Sequence, residues 1–282
     1  MRLALFVAAL TLTVLVPRSG SADALDLIAN REAIRLGVRL ASPPFSYKDE
    51  RGLPAGLAVR LCQRVARILQ TKLDLEKLDI EYIFVNSETR FEALLNEEVD
   101  LHCGPMTQTL SRRELLDFSI PYFMDGASAA LRRDGVQDVA ELSGQPVGAL
   151  QGTTSVTLAT RLAEPAGSIV RQFSSHREGL EALGRGEIDI YFGDHGLLLY
   201  QLSVLKAEDR LIPITVAPEQ FTYEPYSLAM PAGERRLRLE TDRALSQIFL
   251  SEVIFTDIQE AFGSFDMSDL AKFIYVLVSL PE

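Results

Sequence analysis

Apolar residues recur along this chain at two spacings, which alternate and predict alternating strands and helices. Short apolar runs are typical of strands buried in a sheet, and apolar residues three and four apart are typical of one helix face. The runs predict strands at 34–40, 81–85, 99–103, 127–131, 145–150, 169–173, 188–192 and 227–230. The wider spacing predicts helices at 57–70, 87–97, 112–116, 156–163, 177–183, 196–205, 237–249 and 253–261. This alternation predicts an α/β fold with mostly parallel sheets flanked by helices.

The chain also contains two variants of one unit. Residues 91–104 read FEALLNEEVDLHCG and residues 180–193 read LEALGRGEIDIYFG, and they agree at six of fourteen positions. Each unit predicts the tail of a helix, a short strand and a final glycine, so the pair predicts two similar α/β lobes. Ligands bind beyond the carboxyl ends of strands in open α/β sheets, which makes 104–107 and 193–195 the predicted walls of one cleft. The alternative is a chance similarity between two ordinary helix–strand units.

Two segments predict where the chain passes between the lobes. The strand at 127–131 leaves the first lobe, and 221–226 returns to it. The predicted first lobe is therefore discontinuous and consists of 25–130 and 226–282, while the second lobe is 131–225. Two crossings predict a two-strand hinge, which is common in proteins whose lobes close on a ligand.

Residues 1–24 are typical of a secretory signal peptide. A positive charge at Arg2 precedes an apolar run, and small residues then offer cleavage after Ala22 or Ala24. The run is shorter than a membrane span, so we expect cleavage and a periplasmic protein with no direct membrane insertion; an uncleaved anchor is the alternative. A second apolar run, 273–280, predicts a packed terminal helix or strand.

Composition and charge exclude some functions. The chain of 282 residues has 47% hydrophobic and 24% charged residues, an ordinary balance for a globular protein. Its net charge of −11 argues against nucleic acid as a partner, because phosphates attract surfaces rich in lysine and arginine. A small anionic ligand stays compatible with this charge, since a buried site responds mainly to its nearest charges.

Two cysteines lie in the predicted mature chain. Cys62 shares a helix face with Val65 and Leu69, and Cys103 ends a predicted strand beside the cleft. An exported protein meets oxidising conditions, which permit a disulfide. Sequence gives no contact geometry, so a bridge and two buried thiols that do not meet both stay open, and we favour the separate thiols.

An ordered set of short motifs resembles the periplasmic solute-binding proteins of family 3, which serve bacterial amino-acid ABC importers. The motifs are Pro43-Pro44-Phe45-Ser46-Tyr47, Arg90 with the helix and strand that follow it, Gly104-Pro105-Met106-Thr107, Thr109-Leu110-Ser111-Arg112-Arg113, Asp117-Phe118-Ser119-Ile120-Pro121-Tyr122, Gly152-Thr153-Thr154-Ser155, Ile188-Asp189 and Gly193-Asp194. The resemblance covers almost the whole predicted mature chain. It implies the two-lobed type II periplasmic-binding-protein fold, a free amino acid as ligand and delivery to a membrane ABC permease, with no cofactor.

Further motifs are similar to the glutamate/aspartate-binding branch of that family. They are Gly37-Val38-Arg39, Cys103-Gly104, the loop 152–155, His176 before Gly186, and Phe265-Asp266-Met267-Ser268-Asp269. This similarity implies a preference for acidic amino acids. His102, Pro105-Met106 and His195 depart from the pattern of that branch and leave the exact ligand open.

The chemistry of a free amino acid assigns roles to residues at the cleft. Arg112 presents a planar fork that can hold the α-carboxylate, at a predicted helix start capped by Ser111. Asp194 can take the α-ammonium group, with the Thr107 hydroxyl and the Gly104 carbonyl completing its hydrogen bonds. The alternatives are a solvated helix arginine and an aspartate that caps the next helix.

Other residues are candidates for the rest of the ligand. Thr153 and Thr154 can donate backbone N–H and hydroxyl groups to a carboxylate, although a helix-capping role for Thr154 is the alternative. Arg39, Arg90 and His176 are the predicted cations for an acidic side chain, and His176 also fits a simple helix cap.

Phe45 and Tyr47 are the predicted apolar wall of the site. The chain has no tryptophan, so these rings are the candidates to cover the aliphatic part of a ligand. Packing in the core is the alternative for both.

We predict a binding protein rather than an enzyme, and two alternatives stay open. A cyclohexadienyl dehydratase-like enzyme on the same fold would need a general acid, for which His176, His195 or Asp194 could serve. A soluble amino-acid sensor that docks on a receptor is the other alternative. The hydrolase motifs G-x-S-x-G and H-E-x-x-H do not occur in the sequence.

Overall fold

The computed structural model describes residues 23–142, 144–208, 213–263 and 268–281. Its strands are β1 (Ala33–Arg39), β2 (Ala41–Ser42), β3 (Ser46–Lys48), β4 (Pro54–Ala55), β5 (Asp79–Val85), β6 (Leu101–Cys103), β7 (Leu116–Asp125), β8 (Ala127–Arg132), β9 (Val147–Leu150), β10 (Val170–Phe173), β11 (Ile190–Asp194), β12 (Ile214–Val216) and β13 (Glu224–Pro231). Its helices are α1 (Ala24–Arg31), α2 (Leu57–Lys72), α3 (Thr89–Leu95), α4 (Leu110–Arg113), α5 (Thr154–Ala163), α6 (His176–Gly184), α7 (His195–Ala207), α8 (Arg235–Leu250), α9 (Val253–Phe262) and α10 (Asp269–Val278). Nearly all of the predicted signal peptide, and most of the motif at 265–269, lie outside the described residues.

Two five-stranded sheets follow one plan. The first has the order β5-β1-β6-β13-β7 and the second has the order β10-β9-β11-β8-β12. In each sheet the first three strands are parallel, and the last two run antiparallel to their neighbours. The predicted two-lobed α/β fold is confirmed. The antiparallel strands belong to the segments that cross between the sheets, which makes both sheets mixed.

The two similar sequence units occupy equivalent places. The first unit forms α3 and β6, and the second forms α6 and β11. Both β6 and β11 are the central strands of their sheets. Each central strand therefore brings its following residues to the carboxyl edge of its sheet, where the cleft was predicted.

The crossing between the sheets is tight at Gly126. A Cβ at this position would lie 2.0 Å from the carbonyl oxygen of Thr222 on the returning segment, so only glycine fits. The Thr222 hydroxyl also accepts a hydrogen bond from the N–H of Ala127, at 2.9 Å. The sequence prediction assigned 127–130 to the first lobe, but these residues pair in the second sheet because β8 lies between β11 and β12.

A disulfide joins the main helix of the first lobe to its central strand. Helix α2 packs inward through apolar residues three and four apart, and Cys62 lies on that face with no exposed surface. Its sulfur is bonded to Cys103 at the end of β6, with 6.0 Å between the Cα atoms. The prediction of two separate thiols is wrong, because the packing of α2 on the sheet brings their backbones within bridging distance. The bridge holds the strand immediately before Gly104.

The predicted terminal element is the helix α10. Tyr275 is its buried anchor and donates a hydrogen bond to the Tyr122 carbonyl oxygen at 3.1 Å. Its Phe273 and Leu277 side chains are more than half exposed. Among the residues described by the structure, no helix has the length and apolar character needed to cross a membrane.

Candidate functional site

A cavity lies between the carboxyl edges of the two sheets. The cavity is narrow and partly open to solvent. Its lining comes from both lobes: Arg39, Ser42, Arg90, Pro105, Thr107, Arg112, Leu150, Thr153, Thr154, Ser155, His176, Asp194 and Leu197. The structure thus brings together eight of the ten predicted site residues, namely Arg39, Arg90, Thr107, Arg112, Thr153, Thr154, His176 and Asp194. The other two, Phe45 and Gly104, do not line it.

Arg39, the last residue of β1, places a buried guanidinium at the cavity. It is 5% exposed, and its backbone N–H donates to the Ser46 hydroxyl at 3.0 Å. Within the described parts of the chain its Nε has no hydrogen-bond partner. Burial lowers the pKa of Arg39 to about 10, so the group stays protonated at neutral pH. It is a desolvated cation at the cavity, and no carboxylate among the described residues forms an ion pair with it.

Two further guanidinium groups lie near one aromatic ring. The Cζ atoms of Arg90 and Arg112 are 5.0 and 5.3 Å from the centroid of Phe91, within the range of cation–π attraction. Arg90 donates from Nη1 to the Pro105 carbonyl oxygen at 2.8 Å and from Nη2 to the Gly152 carbonyl oxygen at 3.1 Å. Because Gly152 belongs to the second lobe, Arg90 also joins the lobes. Burial, together with the nearby arginines, lowers the pKa of Arg90.

Arg112 reaches the cavity from a helix that is shorter than predicted. Helix α4 has only four residues and its cap is Thr109, whose hydroxyl accepts from the Arg112 N–H at 3.2 Å. The predicted Ser111 cap and the helix at 112–116 are therefore wrong, because β7 already begins at Leu116. Arg112 Nη1 donates to the Thr107 carbonyl oxygen at 2.8 Å, which fixes the guanidinium at the cavity wall.

His176 is neutral, which differs from its predicted role as a cation. Burial, and then the nearby Arg39, lower its pKa to about 3. Its Nδ1 lies 3.2 Å from the Tyr191 hydroxyl, and a neutral imidazole can still donate one N–H to a ligand carboxylate. The cap of α6 is Ser175, whose hydroxyl accepts from the Glu178 N–H at 3.1 Å. The capping alternative for His176 is thus wrong.

Asp194 ends β11 but does not cap the helix after it. The N–H of Gly196 donates instead to the Asp125 carboxylate, at 3.1 and 3.2 Å. Asp194 accepts hydrogen bonds from the Tyr226 hydroxyl and, at 3.3 Å, from the Ser155 hydroxyl. Its carboxylate is therefore held at the cavity by side chains.

The protonation of Asp194 is unusual. Burial, and then the negative charges of Glu224 and Asp125, together raise the pKa of Asp194 to about 7. A ligand cation beside this carboxylate would oppose those effects and favour ionisation. The residue is thus suited to an ammonium group.

Glu224 is a site residue that the sequence prediction missed. It is 5% exposed, and its Oε2 accepts from the hydroxyls of Thr107 at 2.6 Å and Thr154 at 2.7 Å. The prediction that the Thr154 hydroxyl donates to a ligand carboxylate is therefore wrong. Thr153 occupies the N-cap position of α5, but its side chain forms no capping hydrogen bond. Its hydroxyl donates instead to the Leu150 carbonyl oxygen at 2.6 Å. The sole signal for Glu224 in the sequence was an acidic residue at the start of an otherwise apolar strand.

Phe45 and Gly104 support the site from behind. Phe45 has no exposed surface, and its ring packs edge-on against Phe123 and Tyr226, with centroids 4.8 and 5.2 Å apart. Core packing, the alternative, accounts for its position. A Cβ on Gly104 would lie 2.7 Å from Cγ of Arg39, so this glycine gives the arginine room to reach the cavity.

Known proteins with similar sequences include bacterial amino-acid-binding proteins. A family model for bacterial extracellular solute-binding proteins, family 3, matches residues 34–262. The L-glutamate/L-aspartate-binding protein of Pseudomonas aeruginosa is 29% identical over 231 residues, which are 80% of this chain and 76% of that protein. The ABC transporter glutamine-binding protein GlnH of Bacillus subtilis is 28% identical over 229 residues, 80% of each chain.

Solved structures show the same architecture. The ancestral amino acid-binding protein AncCDT-1, described as a precursor of cyclohexadienyl dehydratase, matches with a TM-score of 0.74 at 23% identity. The match covers 85% of this chain and 99% of that chain, and at this identity it supports the fold alone. The family match over most of the chain shows that this protein belongs to the bacterial extracellular solute-binding proteins, family 3.

Proposed function

We propose that this protein binds an acidic amino acid, glutamate or aspartate, between its lobes and delivers it to a membrane ABC importer. The observation that carries the proposal is the buried Arg39 guanidinium, which has no ion-pair partner among the described residues. Arg112 and Asp194 can hold the α-carboxylate and α-ammonium groups of any amino acid. Arg39 then remains for a second carboxylate, with Arg90 and neutral His176 beside it.

The charge balance of the cavity favours an acidic side chain. Arg39, Arg90 and Arg112 line the cavity, and Asp194 is the one carboxylate among its described lining residues. The lining therefore has an excess of positive charge, which the second carboxylate of a bound glutamate would offset, whereas glutamine would leave that excess charge buried. Such a charge is costly in a desolvated site. The relatives named above include a glutamate/aspartate-binding protein and a glutamine-binding protein, so acidic and uncharged side chains are the two alternatives to compare.

Lobe closure would couple binding to delivery. The bonds from Arg90 to Gly152 and from Thr154 to Glu224 cross between the lobes and stabilise the closed form. We assign residues 1–24 to a cleaved signal peptide that sends the protein to the periplasm. A ligand that contacts both lobes shifts the population toward closure, and the permease would recognise that form.

A thermal-shift screen of the mature chain, 25–282, with the twenty amino acids tests the proposal. A ligand that binds only the folded protein raises its melting temperature in proportion to the logarithm of concentration over Kd. Glutamate and aspartate are expected to give the largest shifts, with glutamine and asparagine as uncharged controls. Larger shifts with a neutral or basic amino acid would overturn the acidic assignment.

One observation favours a second candidate, a cyclohexadienyl dehydratase-like enzyme. With a pKa of about 7, Asp194 is partly protonated at neutral pH and could serve as a general acid. Incubation of the mature chain with prephenate or arogenate, followed by detection of the aromatic product, separates the two functions. We expect no product, and turnover above that of an Asp194→Asn control would favour the enzyme.

A further inference from the structure

Glu224 receives hydrogen bonds from both lobes through one oxygen atom. Thr107 follows β6 in the first lobe and Thr154 begins α5 in the second, and both hydroxyls donate to Oε2 of Glu224. The other oxygen, Oε1, accepts from the Thr222 hydroxyl at 2.9 Å. The carboxylate is buried, and among the described residues it forms no ion pair with an arginine or lysine.

These bonds determine what the two threonines can offer a ligand. A hydroxyl group has one proton to donate and two lone pairs that accept. Since the protons of Thr107 and Thr154 are directed to Glu224, only lone pairs remain for the cavity that both residues line. A ligand ammonium group can donate to such oxygens, whereas a carboxylate or a carbonyl group cannot.

The hydrogen bonds at Asp194 run in the same direction, from hydroxyl donors to a carboxylate. Tyr226 and Ser155 donate their hydroxyl protons to Asp194, as the threonines do to Glu224. Hydroxyl protons are therefore directed to two buried carboxylates, while Arg39, Arg90 and Arg112 supply the charged donors of the cavity lining. The Thr107, Thr154 and Ser155 hydroxyls are left to accept hydrogen bonds from the cavity.

We propose that Glu224 is a positioning residue that orients the Thr107 and Thr154 hydroxyls as acceptors and so makes a ligand ammonium group obligatory. The inference rests on the proposed function and deepens it. It defines the ligand class as dicarboxylates with a free α-amino group, and it excludes deaminated and N-acylated dicarboxylates. Glu224 acts through the two threonines rather than by direct contact.

The substitution Glu224→Met tests this role. Methionine has a similar length and no oxygen that accepts, so the Thr107 and Thr154 hydroxyls lose their acceptor and can turn their protons to the cavity. The affinities for L-glutamate and for glutarate, which has the two carboxylates and no ammonium group, are measured by titration calorimetry. The preference for glutamate over glutarate is expected to fall by about ten- to a hundredfold, with a melting temperature close to that of the wild type. Glu219→Met, at an exposed position nearby in the chain, is the matched control and is expected to keep the wild-type preference.

The outcomes separate this role from others. An equal loss of affinity for both ligands would mean that Glu224 acts only in closure or folding, and an unchanged preference would also overturn the proposal. If the Glu224→Met variant does not fold, Thr107→Val provides the second test and is expected to lower the same preference.

The wild-type titration tests the proposed function separately. If the wild type prefers another amino acid, the acidic assignment fails, and the role of Glu224 is measured with that amino acid and its deaminated analogue. Binding of no amino acid by the wild type would overturn both.

Discussion

The raised pKa of Asp194 predicts that ligand affinity depends on pH between 5.5 and 8. The carboxylate must be ionised to hold an ammonium group, and in the unliganded protein its pKa is about 7 because it is buried near Glu224 and Asp125. Below pH 7 the unliganded site is protonated, so binding has to expel that proton. Affinity is therefore expected to be constant well above pH 7 and to fall as pH drops through this value.

The size of this change in affinity follows from the linkage of one proton to ligand binding. If ligand binding lowers the Asp194 pKa below about 5, the dissociation constant rises by about thirtyfold between pH 8 and pH 5.5. At pH 6.5 about 0.8 proton should be released per ligand bound. Tyr226 has a pKa well above its usual value and Arg39 has a pKa of about 10, so neither titrates in this range. Burial also raises the pKa of the neighbouring Asp125 carboxyl, so the Asp194→Asn variant is needed to assign the released proton to Asp194.

Titration calorimetry measures the proton release directly. The observed binding heat at pH 6.5 is compared in buffers of different ionisation enthalpy, and its slope gives the number of protons released. Asp194→Asn should bind weakly and release none, while Asp269→Asn, at an exposed position, should match the wild type. A dissociation constant that stays the same from pH 5.5 to 8, or a slope of zero, would refute the assigned role of Asp194.

Three other predictions address binding, stability and closure. Arg112→Ala should weaken every amino-acid ligand at least about a hundredfold in titration calorimetry, because charge-assisted hydrogen bonds to the α-carboxylate are lost; a selective loss would contradict this role. Replacing Cys62 and Cys103 by serine should lower the unfolding free energy by about 4 kcal/mol, since their separation is 41 residues. The melting temperature should then fall by about 10 °C in calorimetry, and an unchanged value would show that the bridge contributes no stability. Gly152→Ala places a Cβ 2.7 Å from the Ser87 carbonyl oxygen of the other lobe. This contact opposes closure, so the dissociation constant should rise about tenfold. An unchanged affinity would contradict this role of Gly152.

The sequence predicted most of the fold because its signals are local. The apolar spacing that predicted a helix at 57–70 matches α2, and the two similar units correctly predicted two similar α/β lobes. The strand β7 was missed because its apolar residues follow a motif that reads as a helix start. Residues 127–130 were assigned to the wrong sheet, since the sequence does not show which partners a crossing strand finds.

Site residues with a charge and a family motif could be placed from sequence, whereas their protonation and partners could not. Arg39 and Asp194 were predicted and line the cavity. The neutrality of His176 and the raised pKa of Asp194 depend on burial and on charges from distant segments. Glu224 carries no motif, and its importance depends on two hydroxyls that the fold brings from opposite lobes. The disulfide likewise depended on how α2 packs on β6.

The most direct test of the central claim is the ratio of dissociation constants for L-glutamine and L-glutamate, measured in the wild type and in Arg39→Met. Arg51→Met is the matched control, because that side chain is 79% exposed. We expect the wild type and the control to prefer glutamate, and the Arg39 variant to lose at least about tenfold of this preference. An equal loss of affinity for both ligands, or an unchanged ratio, would contradict the proposal that this buried guanidinium selects an acidic side chain.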